Sequence, residues 1–130
     1  MVSDPISDFL ARIKNAHDRK QESISLPATK LIVAVAEILK EEGFINDYSV
    51  EESEPQKSLN VDLKYVNGMP AISGLKRISK PGVRRYYGYR EIKPVKHGLG
   101  VSIFSTPKGV ISGKQAVKEK IGGEYLCYVY

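Results

Sequence analysis

Apolar positions recur along this chain first with helical and then with strand spacing. Ile6, Phe9, Leu10 and Ile13 make one stripe at the spacing of a helix face. Asp4 stands where an N-cap is wanted, and Pro5 takes the first helical position, where its missing N–H has no partner to lose. His17 falls just past this predicted helix. Residues 22–27 read as a short strand with Ile24 and Leu26 on one face, ended by Pro27. A second helix follows, capped by Thr29, with Leu31, Val35, Ile38 and Leu39 as its core stripe and Gly43 as the left-handed stop. The pattern then predicts a strand over 44–50 and a polar loop over 51–57. Leu59, Val61, Leu63 and Tyr65 alternate with polar residues as in a half-buried strand. Asn67-Gly68 is a strong hairpin turn signal.

Beyond that turn the pattern predicts strands over 71–79 and 83–89, separated by the turn Lys80-Pro81-Gly82. Residues 91–96 read as irregular, broken by Pro94. Leu99, Val101 and Ile103 suggest a buried strand, followed by a loop over 105–109. Ser112 opens a short third helix, with Gln115 completing a capping box and Gly122-Gly123 as the stop; Gly113 weakens it slightly. Residues 125–130 are apolar on both faces, as a central strand requires, and little truncation should be tolerated there. The order is α-β-α-β-β followed by a β-rich half with one short helix, an α+β fold. The expected division is an N-terminal lobe over 1–68 and a C-terminal β-rich lobe over 69–130.

Charge sharpens that division. The chain has 130 residues and a net charge of +5. Residues 37–62 hold eight acids against Lys40 and Lys57, a local net of −6; residues 76–97 hold eight bases against Glu91, a local net of +7. A chain polarised in this way can turn one face to a polyanion. Tyr86, Tyr87 and Tyr89 lie inside the basic stretch, and Arg interleaved with Tyr suits RNA: guanidinium on phosphate, ring on base or ribose. A twisted strand with solvated Arg and half-buried Tyr explains the same residues.

Other chemistry finds little support. One Cys excludes a disulfide framework, and a lone thiol fits a reducing compartment such as the cytoplasm. The longest apolar run, 31–36, is far short of the roughly 20 residues a transmembrane helix needs. The opening Met-Val-Ser-Asp-Pro has neither a basic nor an apolar signal region, so no secretory leader is expected. Neither His17 nor His97 has a partner at metal-ligand spacing, so no metal and no cofactor is expected. Cys127 sits in the most apolar stretch, where a thiol behaves as a small hydrophobe. Walker and dinucleotide-binding patterns are absent.

Two stretches combine small residues with polar handles: Ser105-Thr106-Pro107-Lys108-Gly109 and Gly122-Gly123-Glu124. Hydroxyls can meet a ribose 2′-OH or a base edge, Lys108 a phosphate, and a carboxylate selects base amino groups. Plain loop and helix-cap chemistry accounts for them equally well. Arg12, Lys14 and Asn15 lie off the first apolar stripe and read as ordinary helix surface. Two rivals to an RNA-binding protein stay open on residues alone: an RNA-processing enzyme, which lacks a visible general base or metal site, and a protein-interaction module using the acidic lobe.

The whole chain nevertheless resembles the eighth protein of the bacterial small ribosomal subunit, the ribosomal protein S-eight family. The resemblance is carried by residues 4–16 (DPISDFLARIKNA), residues 39–45 (LKEEGFI), Ser79-Lys80-Pro81-Gly82 with Arg84 and Tyr86, Leu99-Gly100-Val101 through Ser105-Thr106 and Lys108-Gly109-Val110, and Gly122-Gly123-Glu124 with Leu126-Cys127-Tyr128-Val129. It implies a two-lobed, non-catalytic protein that binds the central domain of small-subunit rRNA directly and helps nucleate platform assembly. Carried over by position, Ser105, Thr106, Lys108, Gly123 and Glu124 would read RNA, with Arg84 and Tyr86 nearby. Arg12, Lys14 and Asn15 would touch other rRNA elements. Neighbouring small-subunit ribosomal proteins are implied partners, and repression of its own mRNA is a further property of bacterial members. The expected state is a cytoplasmic, ribosome-bound protein, monomeric when free. The family usually carries a third hydroxyl where this chain has Pro107, which removes both that hydroxyl and a backbone donor.

Overall fold

The computed structural model describes residues 4–53 and 56–130. Met1, Val2 and Ser3 lie outside the described residues, as do Glu54 and Pro55 from the expected 51–57 loop. The first helix, α1 (Pro5–Asp18), is capped as expected: the Asp4 carboxylate accepts from the Ser7 N–H at 3.2 Å and from its hydroxyl at 2.6 Å. It is longer than expected, so His17 lies in its last turn, buried beside Ala16 rather than beyond the helix. Strand β1 (Ser23–Pro27) leads to α2 (Lys30–Glu41), whose N-cap Thr29 accepts from the Ile32 N–H at 3.2 Å. The α2 face is turned slightly from the expected stripe: Ile32 is buried and Leu31 only half so.

Strands β2 (Ile45–Ser53) and β3 (Gln56–Leu63) pair antiparallel from Ile45↔Leu63 to Ser53↔Gln56. Most of the expected polar loop is therefore strand: Glu51, Glu52 and Lys57 are polar because they are exposed, not because the backbone turns there. The sheet runs β1-β3-β2. Leu26, Leu59 and Val61 are buried on its helix-facing side with Phe9, Ile13, Val35 and Leu39. One strain point is visible: Asp47 stands opposite Asp62, a like-charge pair that disfavours the ladder. Lys40 answers it with an ammonium 2.9 Å from Asp47 Oδ1.

Asn67 and Gly68, both at positive φ (53° and 80°), turn the small hairpin β4 (Tyr65–Val66) to β5 (Met69–Pro70) as expected. The strand expected over 71–79 shrinks to β6 (Leu75–Arg77), and that over 83–89 to β7 (Tyr86–Tyr87). Neither segment makes a ladder by itself; each is strand only where it meets β10 (Gly123–Val129). Short 3-10 turns occupy Tyr89–Glu91 and Lys96–Gly98.

Strand β8 (Val101–Thr106) forms a tight hairpin with β9 (Gly109–Ser112) around Pro107 and Lys108. Ser105 and Thr106 are thus strand residues rather than loop. Leu99 is 82% exposed and outside the strand, whereas Ser102 and Phe104 are buried with Val101 and Ile103, so both faces of β8 are covered. The third helix, α3 (Gly113–Glu119), starts at Ser112, whose Oγ accepts from the Gln115 N–H. The reciprocal half of a capping box is missing, because the Gln115 amide donates to Glu119 Oε2 at 2.8 Å instead. Gly113 is there for space: a Cβ would run into Ser102 Oγ.

The C-terminal sheet is ordered β6-β10-β8-β9, with β7 on β10 beside β6, so β10 is central as its apolar character required. All three helices end with the same pair of bonds back to the last turn, at Lys20, Gly43 and Lys120, each with positive φ. The stop of α3 is therefore Lys120, not Gly122-Gly123. Buried residues of α1, α2 and both sheets form one continuous apolar cluster. The arrangement is α+β, with a helix-backed N-terminal sheet and a β-rich C-terminal half. Among the described residues, no helix is long and apolar enough to cross a membrane.

Candidate nucleic-acid interface

Strand alternation sorts the β7-β10-β8 side chains onto two faces. Glu124 is in register with Tyr86 on one side and Ser105 on the other, so Tyr86, Glu124 and Ser105 form one transverse row on one face. The next residue of each strand lies on the opposite face. There Tyr125 stacks on Phe104 at 4.5 Å and meets Tyr87 edge-on at 5.2 Å. Burial in that aromatic cluster pushes the Tyr125 hydroxyl up to about 12. The cluster packs the three strands together on one face while the polar row lies on the other. Tyr86 is 70% exposed, so its ring is open to solvent.

The glycines of the 122–124 stretch serve this row. A Cβ on Gly123 would collide with the Ser105 carbonyl oxygen, and one on Gly122 with the Tyr87 carbonyl oxygen. Neither glycine is at positive φ; what each supplies is close approach of β10 to its neighbours.

Glu124 is fixed from behind. Its Oε2 accepts from the Ser79 hydroxyl at 2.5 Å and from Arg84 Nη1 at 2.9 Å. The Ser79 hydroxyl in turn accepts from the Arg85 N–H at 3.1 Å. Burial works against ionisation of Glu124, but the Ser79 and Arg84 hydrogen bonds, with the positive charges of Arg84 and Arg77, outweigh it and hold the carboxyl below its ordinary range. Arg84 is delivered by the tight turn at Lys80-Pro81-Gly82, closed by reciprocal 3.0 Å bonds between Lys80 and Val83.

Thr106 is committed to its hairpin. Its hydroxyl donates to the Gly109 carbonyl at 2.7 Å and accepts from the Lys108 N–H at 3.2 Å. Pro107 sits at the first turn position, where its fixed φ is favoured, and Gly109 takes φ +111°. Lys108 extends from the turn, with a loose 3.5 Å ion pair to Glu119.

The other expected contacts lie elsewhere. Arg12 pairs with Asp8 at 3.0 Å and donates to the Ser25 carbonyl of β1 at 3.2 Å. Asn15 is exposed on α1, and Lys14 borders a groove of about 680 Å³ between α1 and residues 69–75. The structure therefore brings Arg84, Tyr86, Ser105, Thr106, Lys108, Gly123 and Glu124 together and leaves Arg12, Lys14 and Asn15 as a separate group on α1.

Comparison with known proteins agrees with this architecture. Residues 4–130 match the family described as Ribosomal protein S8. The chain belongs to the ribosomal protein S8 family. It is 50% identical over 130 residues to the small ribosomal subunit protein uS8 of Halothermothrix orenii, covering 99% of this chain and 98% of that one. It is 48% identical to the proteins of the same name from Roseiflexus castenholzii, over 99% and 98% of the two chains, and from Persephonella marina, over the full length of both.

For a ribosomal protein S8 chain, two residues missed by sequence reasoning stand out. Ser79 is fully buried, yet in the sequence it is one more polar residue before a Lys-Pro-Gly turn. Arg77 reads as part of the basic run, but its side chain is 10% exposed. It donates to both Asp4 oxygens at 3.2 Å and to the Leu126 carbonyl at 2.5 Å, tying the N-cap of α1 to β10. Leu126 is also the residue at which the β10 ladder with β8 shifts register. Its carbonyl, on the β6 side, also accepts from the Ile78 N–H at 3.0 Å, so it serves two donors. Cys127 is buried, and desolvation pushes its thiol up to about 12, so a thiolate nucleophile is strongly disfavoured.

Proposed function

We propose that this chain binds the central domain of small-subunit rRNA directly and without catalysis, and that this binding helps nucleate platform assembly. Residues 69–130 act as the reading lobe and residues 1–68 as the lobe that α1 and the acidic sheet present to other partners. The observation supporting this reading is the Tyr86–Glu124–Ser105 row, flanked by Arg84 and Lys108. An exposed ring can stack on a base or ribose, and a hydroxyl can pair with a 2′-OH. A carboxylate beside a guanidinium can accept from a base amino group without repelling the backbone. These are the contacts a distorted RNA minor groove offers.

Lys108 and the exposed bases of 76–97 supply salt-dependent phosphate attraction, and the row supplies selectivity. Arg12, Lys14 and Asn15 lie on another surface and suit a second rRNA element. Neighbouring small-subunit proteins meet what remains, and an mRNA segment folded like the rRNA target would compete for the same row. The free protein is a monomer, and its place of action is the cytoplasmic ribosome.

Binding to the isolated central-domain rRNA fragment across a salt series tests this. Wild type should prefer the fragment over an unrelated duplex of equal length. Ser105→Ala should lose on the order of 1–3 kcal/mol with the salt slope unchanged. Equal affinity for both RNAs would contradict the reading.

A further inference from the structure

The inner side of the reading row contains a group that no phosphate or base can touch. Ser79 is fully buried, and its hydroxyl is used twice: it donates to Glu124 Oε2 at 2.5 Å and accepts from the Arg85 N–H at 3.1 Å. Backbone bonds fix the position of this hydroxyl: Ser79 N–H donates to the Tyr125 carbonyl at 2.9 Å, and Tyr125 N–H donates to the Arg85 carbonyl at 2.9 Å. Ser79, Arg85 and Tyr125 are thus locked around one point of β10, one residue from Glu124. With Arg84 Nη1 also on Oε2, that carboxylate oxygen has two donors, both from the protein. Among the described residues Oε1 has no hydrogen-bond partner, and the Glu124 side chain keeps 16% of its surface exposed.

From this geometry we infer that Ser79 is a positioning and specificity-determining residue: it commits Oε2 of Glu124 to the protein and leaves Oε1 as a single, oriented acceptor for one base amino group of the RNA. This rests on the reading of Glu124 as an RNA contact and deepens it. A free Glu side chain would offer two oxygens, several rotamers and a full negative charge to a polyanion. Here one rotamer is held by a buried donor, and the Arg84 guanidinium balances the charge. Orienting the acceptor before binding lessens the rotamer entropy lost in the complex. A single acceptor discriminates against a base that presents a carbonyl at that position, because two acceptors facing each other leave both unpaired. Ser79 touches no RNA in this account; it acts only through Glu124.

A double-mutant cycle on Ser79→Ala and Glu124→Gln tests it, using the central-domain rRNA fragment and a variant fragment in which single amino-bearing bases are replaced by carbonyl-bearing ones with compensating pairing. Ser79→Ala is expected to weaken binding to the fragment about 5- to 30-fold with the salt slope unchanged. It should also narrow the preference for the amino-bearing fragment and raise the Glu124 carboxyl titration, followed by NMR. In the Glu124→Gln background Ser79→Ala should have little further effect. Ser79→Thr, which keeps the hydroxyl, should restore most of the affinity. If Ser79→Ala does not fold, Ser79→Cys, which keeps the volume and weakens both bonds, is read through the same cycle.

The two ways of failing are distinct. If Glu124→Gln binds both fragments as wild type does, the reading of Glu124 itself is wrong. If Glu124→Gln loses discrimination while Ser79→Ala shifts the Glu124 titration without changing affinity or preference, Glu124 reads RNA and the positioning role of Ser79 is overturned. Additive losses in the double variant would also overturn it.

Discussion

The two sheets are built to different rules. The N-terminal sheet has long strands, one apolar face laid on α1 and α2, and an acidic exposed face. Its order comes from burial of alternating side chains, which is a property of each strand by itself. The C-terminal sheet instead gathers short segments around β10. Glycines let backbones close up, an aromatic cluster lies on one face, and polar cross-links through Ser79, Arg84 and Arg77 secure the other. The first sheet is a core that happens to have a surface. The second is a surface whose polar groups are pinned from inside, as a recognition site requires if its donors and acceptors are to be preset.

The largest effect should come from the burial-ordered half. Phe9 is fully buried between α1 and the N-terminal sheet, and Phe9→Ala should cost about 3–5 kcal/mol in denaturant unfolding. The molecules that remain folded should still bind RNA with unchanged salt slope, because the row is remote. Next comes the link between the halves. Arg77→Met leaves Asp4 partly buried without its guanidinium partner. It should destabilise by about 2–3 kcal/mol, less than a fully buried pair because both side chains keep some solvent contact. A smaller loss, about 1–3 kcal/mol, is expected for Gly123→Ala, where the new Cβ must displace the Ser105 backbone. That variant should lose RNA affinity out of proportion to its stability, whereas Phe9→Ala should not; parallel losses in both would erase the distinction between the two sheets.

The pH dependence separates the regions further. Burial holds His17 below its ordinary 6.5, with Asp18 opposing, and both ring nitrogens lack a hydrogen-bond partner. The unfolded chain therefore binds a proton that the folded one refuses. Stability should be complete above pH 6.5 and fall as the solution is acidified below it. Asp4 and Glu124 act later. Asp4 is disfavoured as an anion by burial but held below its ordinary 3.8 by Ser7 and Arg77, while Glu124 is held below 4.5. Their stabilisation is present above those ordinary values and is lost as pH falls through the lowered ones. Thermal melts from pH 7.5 to 5 should thus decline in wild type and stay flatter in His17→Leu. The smallest effect is conformational. Lys20→Gly and Lys120→Gly relieve left-handed backbone at helix ends and should each stabilise by about 0.5–1 kcal/mol.

The same contrast explains what could be read from the sequence. The N-terminal half was legible because its signals are local: Asp4 and Thr29 cap, Gly43 stops, and Leu59, Val61 and Leu63 alternate. The extent of β2 was not, since exposed Glu51 and Glu52 resemble a polar loop. In the C-terminal half, β10 was legible from its two-sided apolar run. Its partners β6 and β7 were legible as strands but not in their extent, and β9 was not legible, because these short ladders are decided by contacts with distant residues. The residues expected at the interface follow from the resemblance; seven of them lie close together on the C-terminal sheet, and Arg12, Lys14 and Asn15 lie apart on α1. The buried partners Ser79 and Arg77 carried no local mark, because a serine before a turn and an arginine in a basic run look like surface. Lys120 was overlooked as a helix stop because a glycine pair followed close behind.

The most direct measurement is a titration of the isotope-labelled protein with the central-domain rRNA fragment, followed residue by residue by NMR. The largest shifts are expected at Tyr86, Ser105 and Glu124, with smaller ones at Arg84 and Lys108 and almost none across the acidic strand β2. Largest shifts on β2 or α2, with the Tyr86–Glu124–Ser105 row unmoved, would contradict that expectation.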